Sequence, residues 1–313
     1  MDFLQKNKIN YYRIQELLTL FAIACMTISH FGGYYLIITT IGEYSTLLRK
    51  LAVVSLFIKV VITRYNKKEF VVVGCMLILA GVNYRFSGNT RALYTFLTIC
   101  ALKNVDLKKV FKVALVSLIF IVTLIAALAL LNITGIVAVT ENFGRGEAGS
   151  TIETRYYMGY IHPNTWAHAM FTIFLLATIV FFERIDWKGI GILLLANYGL
   201  YRLAVSRTCF LCGIALVILL IWVKYGKKLF EFAVIRIGIL LGVAALWGII
   251  FTCRIDIQSS LTWTIIDWKI FTGRLAQAQA YLKACGLSVW GVHVPDVLDN
   301  GYILDMGYMR MLL

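Results

Sequence analysis

The chain has 313 residues, 60% of them apolar and only 15% charged, with 30 Lys+Arg against 16 Asp+Glu. Soluble domains run nearer half apolar and a quarter charged. Charge-free runs over 17–42, 113–140 and 156–182 each exceed the roughly 20 residues that span a bilayer's hydrocarbon core, so a polytopic membrane protein is expected and a soluble globular domain is excluded. The net charge of +14 sits in short loops between apolar runs, so nucleic acid is not an expected partner.

Taken in chain order, the apolar runs predict an all-α protein with about ten crossings: 16–40, 45–63, 69–85, 90–103, 110–132, 163–182, 188–205, 207–223, 231–252 and 301–313. The second is interrupted by Lys59, and the fourth is short. One transmembrane domain is expected over 1–313. The basic N-terminal flank precedes a run too long for a signal peptide, so that run should remain as the first span. The cysteines, Cys25, Cys75, Cys100, Cys209, Cys212, Cys253 and Cys285, lie mostly inside apolar runs and suit a packing role rather than a disulfide framework or a metal site.

Basic loops set the orientation. With a cytoplasmic N-terminus, twelve lysines and three arginines fall inside, among them Lys103, Lys108, Lys109, Lys112, Arg184 and Lys224. Nine arginines and three lysines fall outside. Lysine inside is what topology alone requires. Arginine outside points to chemistry, because a guanidinium binds phosphate oxygens bidentately where lysine is a point charge.

Two outer loops, 133–162 and 253–300, are too long to be connectors. The first carries Glu141, Glu153 and Arg155 around Gly144, Gly146 and Gly149; the second carries a helix-like stretch from Gly273 to Cys285. Three polar motifs fall at outer starts of descending helices. In Tyr160-Ile161-His162-Pro163-Asn164, proline suits the first helical position, which makes His162 the cap residue, with Asn164 and His168 on one face. Around Ser206-Arg207-Thr208, Ser206 or Thr208 can cap the next descending helix, with Arg207 at its mouth and Arg202 five residues earlier. Asp299-Asn300 precedes the last apolar segment. Helix N-termini attract anions, so a diphosphate ligand in the outer leaflet is expected. Pairing of Arg202 with Glu153 or Asp299 is the structural alternative.

Gly159-x-x-His162-Pro163-Asn164, a tyrosine (Tyr198 or Tyr201) followed by Ser206-Arg207-Thr208, Gly273-Arg274, and Asp299-Asn300-x-Tyr302 together resemble the O-antigen polymerase and ligase superfamily. The closest likeness is to Wzy-type polymerases of capsular or exopolysaccharide clusters, and it covers mainly 155–302. The resemblance implies polymerisation of polyprenyl-diphosphate-linked repeat units at the outer face of the bacterial plasma (inner) membrane, with no metal or other cofactor. A flippase and a chain-length regulator are the implied protein partners. On this reading Arg207, Arg202, Arg274 and Arg155 bind the diphosphate. His162, Asp299 or Glu153 would deprotonate the acceptor hydroxyl, with Asn164, Tyr198, Ser206, Asn300 and Tyr302 in support. A ligase with the same donor chemistry is one alternative, and a transporter or flippase of anionic or lipid-linked solutes is another. Family members continue through further spans beyond Asp-Asn-x-Tyr, whereas this chain stops at Leu313, which implies a C-terminally truncated product whose activity is in question.

Overall fold

The computed structural model describes residues 2–33, 39–88, 90–133, 135–142, 152–226, 237–238, 240–244, 248, 260–267, 274–286 and 292–295. Eight of the expected runs become helices: α1 Asp2–Gly32, α2 Thr39–Ile62, α3 Lys67–Ser87, α4 Arg91–Ala101, α5 Leu107–Leu130, α6 Pro163–Val180, α7 Trp187–Ala204 and α8 Arg207–Tyr225. Further on come two short helices, α9 Leu261–Ile266 and α10 Arg274–Cys285, the second filling the stretch predicted from Gly273 to Cys285. The ninth expected crossing lies mostly, and the tenth wholly, outside the described residues.

The fold is all-α, and five helices among the described residues are long and apolar enough to cross a bilayer: α1 from Asn10, α3, α5, α6 and α8. Three other expected crossings fall short of this for separate reasons. α4 has 11 residues, which at ~1.5 Å each cover only about 16 Å. α2 carries Arg49, Lys50 and Lys59, and α7 holds Lys188, Asn197 and Arg202 within 18 residues. The exterior is nonetheless apolar: Phe70, Ile78 and Leu195 are 69%, 67% and 73% exposed. Such a surface suits lipid and would drive association in water.

The chain, expected as one domain, divides into two compact units. Unit 1 comprises 1–64 and 97–227 and holds α1, α2 and α5 to α8; unit 2 comprises 65–96 and 228–313 and holds α3, α9 and α10, while α4 runs across the boundary. In unit 1, α1 packs on α2 and α5, α5 on α6, and α6 on α7 and α8.

Polar side chains stitch the α1–α2 seam, and this explains the charges that interrupt α2. Buried Gln15, Thr19, Ala22 and Ser29 of α1 recur every three, four or seven residues, as do Ser45, Ala52, Ser55 and Lys59 of α2. Ser29 Oγ donates to the Ser45 carbonyl at 2.7 Å and Ser45 Oγ to the Ser29 carbonyl at 2.9 Å, while Ser55 Oγ donates to the Leu18 carbonyl at 2.9 Å. At the far end, fully buried Lys59 donates to Gln15 Oε1 at 3.0 Å, Thr63 Oγ1 at 2.9 Å and the Lys103 carbonyl at 3.0 Å. An ammonium has three N–H bonds, so each is satisfied without a carboxylate. The isolated cation of the sequence is a fully bonded tie between α2, α1 and the segment after α4.

Besides apolar and ring contacts, a buried amide joins α7 to α8. Asn197 is 2% exposed, and its Nδ2 donates to the Phe210 carbonyl at 3.0 Å. A Cβ built on Gly213 would stand 2.1 Å from Asn197 Oδ1, so glycine is what allows the amide to lie between the helices. Gly213→Ala should lower stability by about 2 kcal/mol through overpacking, read as a lower unfolding midpoint in detergent. An unchanged midpoint would show that the amide can move aside at no cost.

Candidate functional site

The segment expected as the first long outer loop, 133–162, contains regular structure among its described residues. Ala138–Asn142 (β1) and Ile152–Tyr156 (β2) form an antiparallel hairpin in which Val139 faces Arg155 and Glu141 faces Glu153. Both strands alternate and contain β-branched residues, a signal that was present in the sequence but hidden beside the glycines between them. The hydroxyls of the cross-strand pair Thr140 and Thr154 lie 2.8 Å apart. The pairing continues past the strands, with the Tyr157 N–H donating to the Val137 carbonyl at 2.8 Å and the Gly159 N–H to the Ile136 carbonyl at 3.0 Å.

Two glycines seat this hairpin. A Cβ on Gly135 (φ +77°) would lie 2.7 Å from the Gly159 Cα. One on Gly159 (φ +84°) would lie 2.8 Å from Ile125 Cγ2 and 3.0 Å from the Ile125 carbonyl oxygen. Neither the backbone angle nor the space admits another residue. The chain therefore leaves the end of α5 at a fixed angle and enters α6 through Tyr160, Ile161 and His162. Beneath it lies a core of Phe31 (α1), Leu118, Ile121, Val122 and Ile125 (α5), Trp166 (α6) and Leu200 (α7), with Tyr160 fully buried among them. Tyr160 was missed at the sequence level. Burial raises its phenol above the ordinary value, so it stays protonated, and its hydroxyl has no partner among the described residues.

His162 occupies the cap position of α6 with Pro163 behind it, as the His-Pro spacing predicts. The consequence differs from the expected anion site. Pro163 has no N–H; the Asn164 N–H donates to His162 Nδ1 at 3.1 Å; those of Thr165 and Trp166 donate to the His162 carbonyl at 3.0 and 3.4 Å. The donors at this helix start are already engaged. An imidazole whose Nδ1 accepts a hydrogen bond carries its neutral-form proton on Nε2, so it presents a donor rather than a base. His162→Ala should cost about 1 kcal/mol as a lost cap, and His162→Asn, which can cap, should restore the unfolding midpoint. If asparagine restores stability but not activity, the imidazole itself is required. Further along α6, His168 stacks on Phe31 of α1 with ring centroids 5.9 Å apart.

α8 starts differently. Each of α3, α5 and α7 begins with a capping side chain: Asn66 accepts from the Glu69 N–H, Asp106 from that of Lys108, and Asp186 from that of Gly189. Ser206 stands in the cap position of α8 but makes no capping bond. Thr208, the other expected cap, is already inside the helix. The connection from α7 is only Val205 and Ser206, and Val205 sits at φ 52°, ψ 33°. A β-branched residue in the left-handed region is strained by roughly 1–2 kcal/mol. Exposed Arg202 and Arg207 flank this turn, and neither forms an ion pair among the described residues. Tyr198, 52% exposed, lies one turn before Arg202 on the same helix face.

Arg155 is placed otherwise than expected. It is 3% exposed on β2, which packs against α7, and its Nη2 lies 2.6 Å from Glu153 Oε2. Residues two apart on a strand share a face, so this pair forms within β2, and Glu153 serves Arg155 rather than Arg202. A buried guanidinium already matched by a carboxylate is a poor diphosphate ligand, and Glu153 is correspondingly poor as a base.

In unit 2, Arg274 is the first residue of α10, but an internal carboxylate holds that helix start. The Leu275 and Ala276 N–H groups donate to Asp267 Oδ1 and Oδ2 at 2.9 and 3.0 Å. Asp299, Asn300 and Tyr302 lie outside the described residues. Of the three outer helix starts expected to attract anions, the one at α8 keeps uncapped donors beside arginines that lack an ion-pair partner among the described residues. No family model, no curated protein and no solved structure matches this chain.

Proposed function

We propose that this chain is a membrane glycan polymerase of the Wzy type, with its N-terminus in the cytoplasm and about ten crossings of a bacterial plasma membrane. It would transfer an oligosaccharide from a polyprenyl diphosphate to the sugar hydroxyl of a second carrier-linked unit. The observation that carries this reading is the α7–α8 turn, where Arg202 and Arg207 flank a helix start without a side-chain cap.

In the reaction the acceptor oxygen attacks the anomeric carbon, and the bond from that carbon to the diphosphate oxygen breaks. The diphosphate leaves with the bonding electrons. Charge grows on phosphate oxygens, so fixed guanidinium and N–H donors stabilise the transition state more than the ground state. Arg207 and the first N–H groups of α8 take that role, with Arg202 beside them. The acceptor's proton passes to an outer carboxylate, Asp299 by its motif.

The test is to supply lipid-diphosphate-linked repeat units to the purified full chain in vesicles. Glycan lengthening without an energy source is expected. Attachment of a single glycan to a different acceptor would replace the polymerase by a ligase. Translocation without lengthening would replace it by a transporter.

A further inference from the structure

We propose that the cavity between the start of α5 and the end of α6 binds the phosphate headgroup of an anionic membrane lipid. The hairpin joins α5 to α6 at their other ends, so this cavity is remote from the α7–α8 turn and independent of the glycan chemistry. Its volume of about 360 Å³ falls within the roughly 300–1,000 Å³ of small-molecule clefts.

Its charges are unbalanced. Lys108, Lys109, Lys112 and Arg184 line it against Asp106 and Glu183, an excess of two positive charges. Lys109 is committed to Glu16 at 2.7 Å, Lys108 lies 3.9 Å from Glu183 with both side chains largely exposed, and Asp106 caps α5. Lys112 and Arg184 have no carboxylate partner among the described residues. A positive-inside bias explains lysines at this end of the bundle. It does not explain why Lys112 and Arg184, about 70 residues apart in sequence, line one hollow without a carboxylate partner for either among the described residues.

Two observations favour a lipid over a free anion. The floor of the cavity includes Val180 and Phe181, where the apolar stretch of α6 ends, and Phe181 is 44% exposed. Nearby, Trp187 at the start of α7 stacks on Tyr225 at the end of α8 with centroids 4.4 Å apart, both rings exposed. Exposed tryptophan and tyrosine at helix ends mark the headgroup level of a membrane. Basic hollows between spanning helices at that level hold lipid phosphates.

The experiment titrates the full chain, in a zwitterionic detergent, with short-chain phosphatidylglycerol, phosphatidylcholine or inorganic phosphate, and reads bound lipid by native mass spectrometry. Saturable binding of phosphatidylglycerol is expected, with phosphatidylcholine weaker and millimolar phosphate unable to displace the lipid. The double variant Lys112→Gln, Arg184→Gln, both exposed positions, should bind phosphatidylglycerol about tenfold more weakly. Lys67→Gln, an exposed lysine in unit 2, should not. Equal binding of the two lipids, an unchanged double variant, or equal loss in Lys67→Gln would overturn the proposal. Displacement by inorganic phosphate would assign the cavity to a free anion instead.

Discussion

Arg207→Ala should reduce the rate of glycan lengthening by about 10²- to 10³-fold, the usual effect of removing one donor aimed at developing charge. The physical reason lies in the turn. α8 begins at Arg207 with no side-chain cap, so the guanidinium and the first backbone N–H groups are available together. Arg207→Lys keeps the charge and loses the planar fork, so it should fall between parent and alanine. Loss should appear in turnover more than in KM, because the diphosphate gains charge only as the bond breaks. Arg155→Ala is the contrast: its guanidinium is buried against Glu153, so the variant should lose stability rather than fail selectively in chemistry. Chain-length distributions from purified, correctly inserted variants decide the matter. If Arg207→Ala lengthens glycan at the parent rate, the diphosphate assignment to this turn is wrong.

Lys59→Met should destabilise the protein by about 3 kcal/mol. Methionine nearly matches the volume, so the loss is of bonding: Gln15 Oε1, Thr63 Oγ1 and the Lys103 carbonyl lose their shared donor in a buried place. Each unsatisfied buried acceptor costs about 1–3 kcal/mol, and partial rearrangement offsets some of that. Adding Gln15→Leu removes one stranded acceptor, so the double variant should cost less than the sum of the singles. Thermal unfolding in detergent gives all three values. Strict additivity would mean that Lys59 and Gln15 do not depend on one another.

Much of the fold was legible because hydrocarbon imposes its own length. The apolar runs predicted helices whose limits agree with α5, α6, α7 and α8 to within a few residues. The cap at His162 was legible because proline at the first helical position is a local signal. Arg155 and Glu153 were not, since their pairing needs the strand that aligns them. The difference between the starts of α6 and α8 was also hidden: both show polar residues before an apolar run, but only coordinates reveal that histidine caps and serine does not.

Composition and hydropathy thus determined the solvent, the helical class and the residue types available for binding anions, because these depend on local sequence and on the apolar length a bilayer requires. Tertiary structure decided which charges are still available. Lys59 and the start of α10 are satisfied by partners that folding brings to them, and Arg155 by Glu153 on its own strand, whereas Arg202 and Arg207 at the strained α7–α8 turn have no ion-pair partner among the described residues. A charge in sequence is only a capacity for interaction, and the partners that folding brings within hydrogen-bond distance determine whether it remains for a ligand.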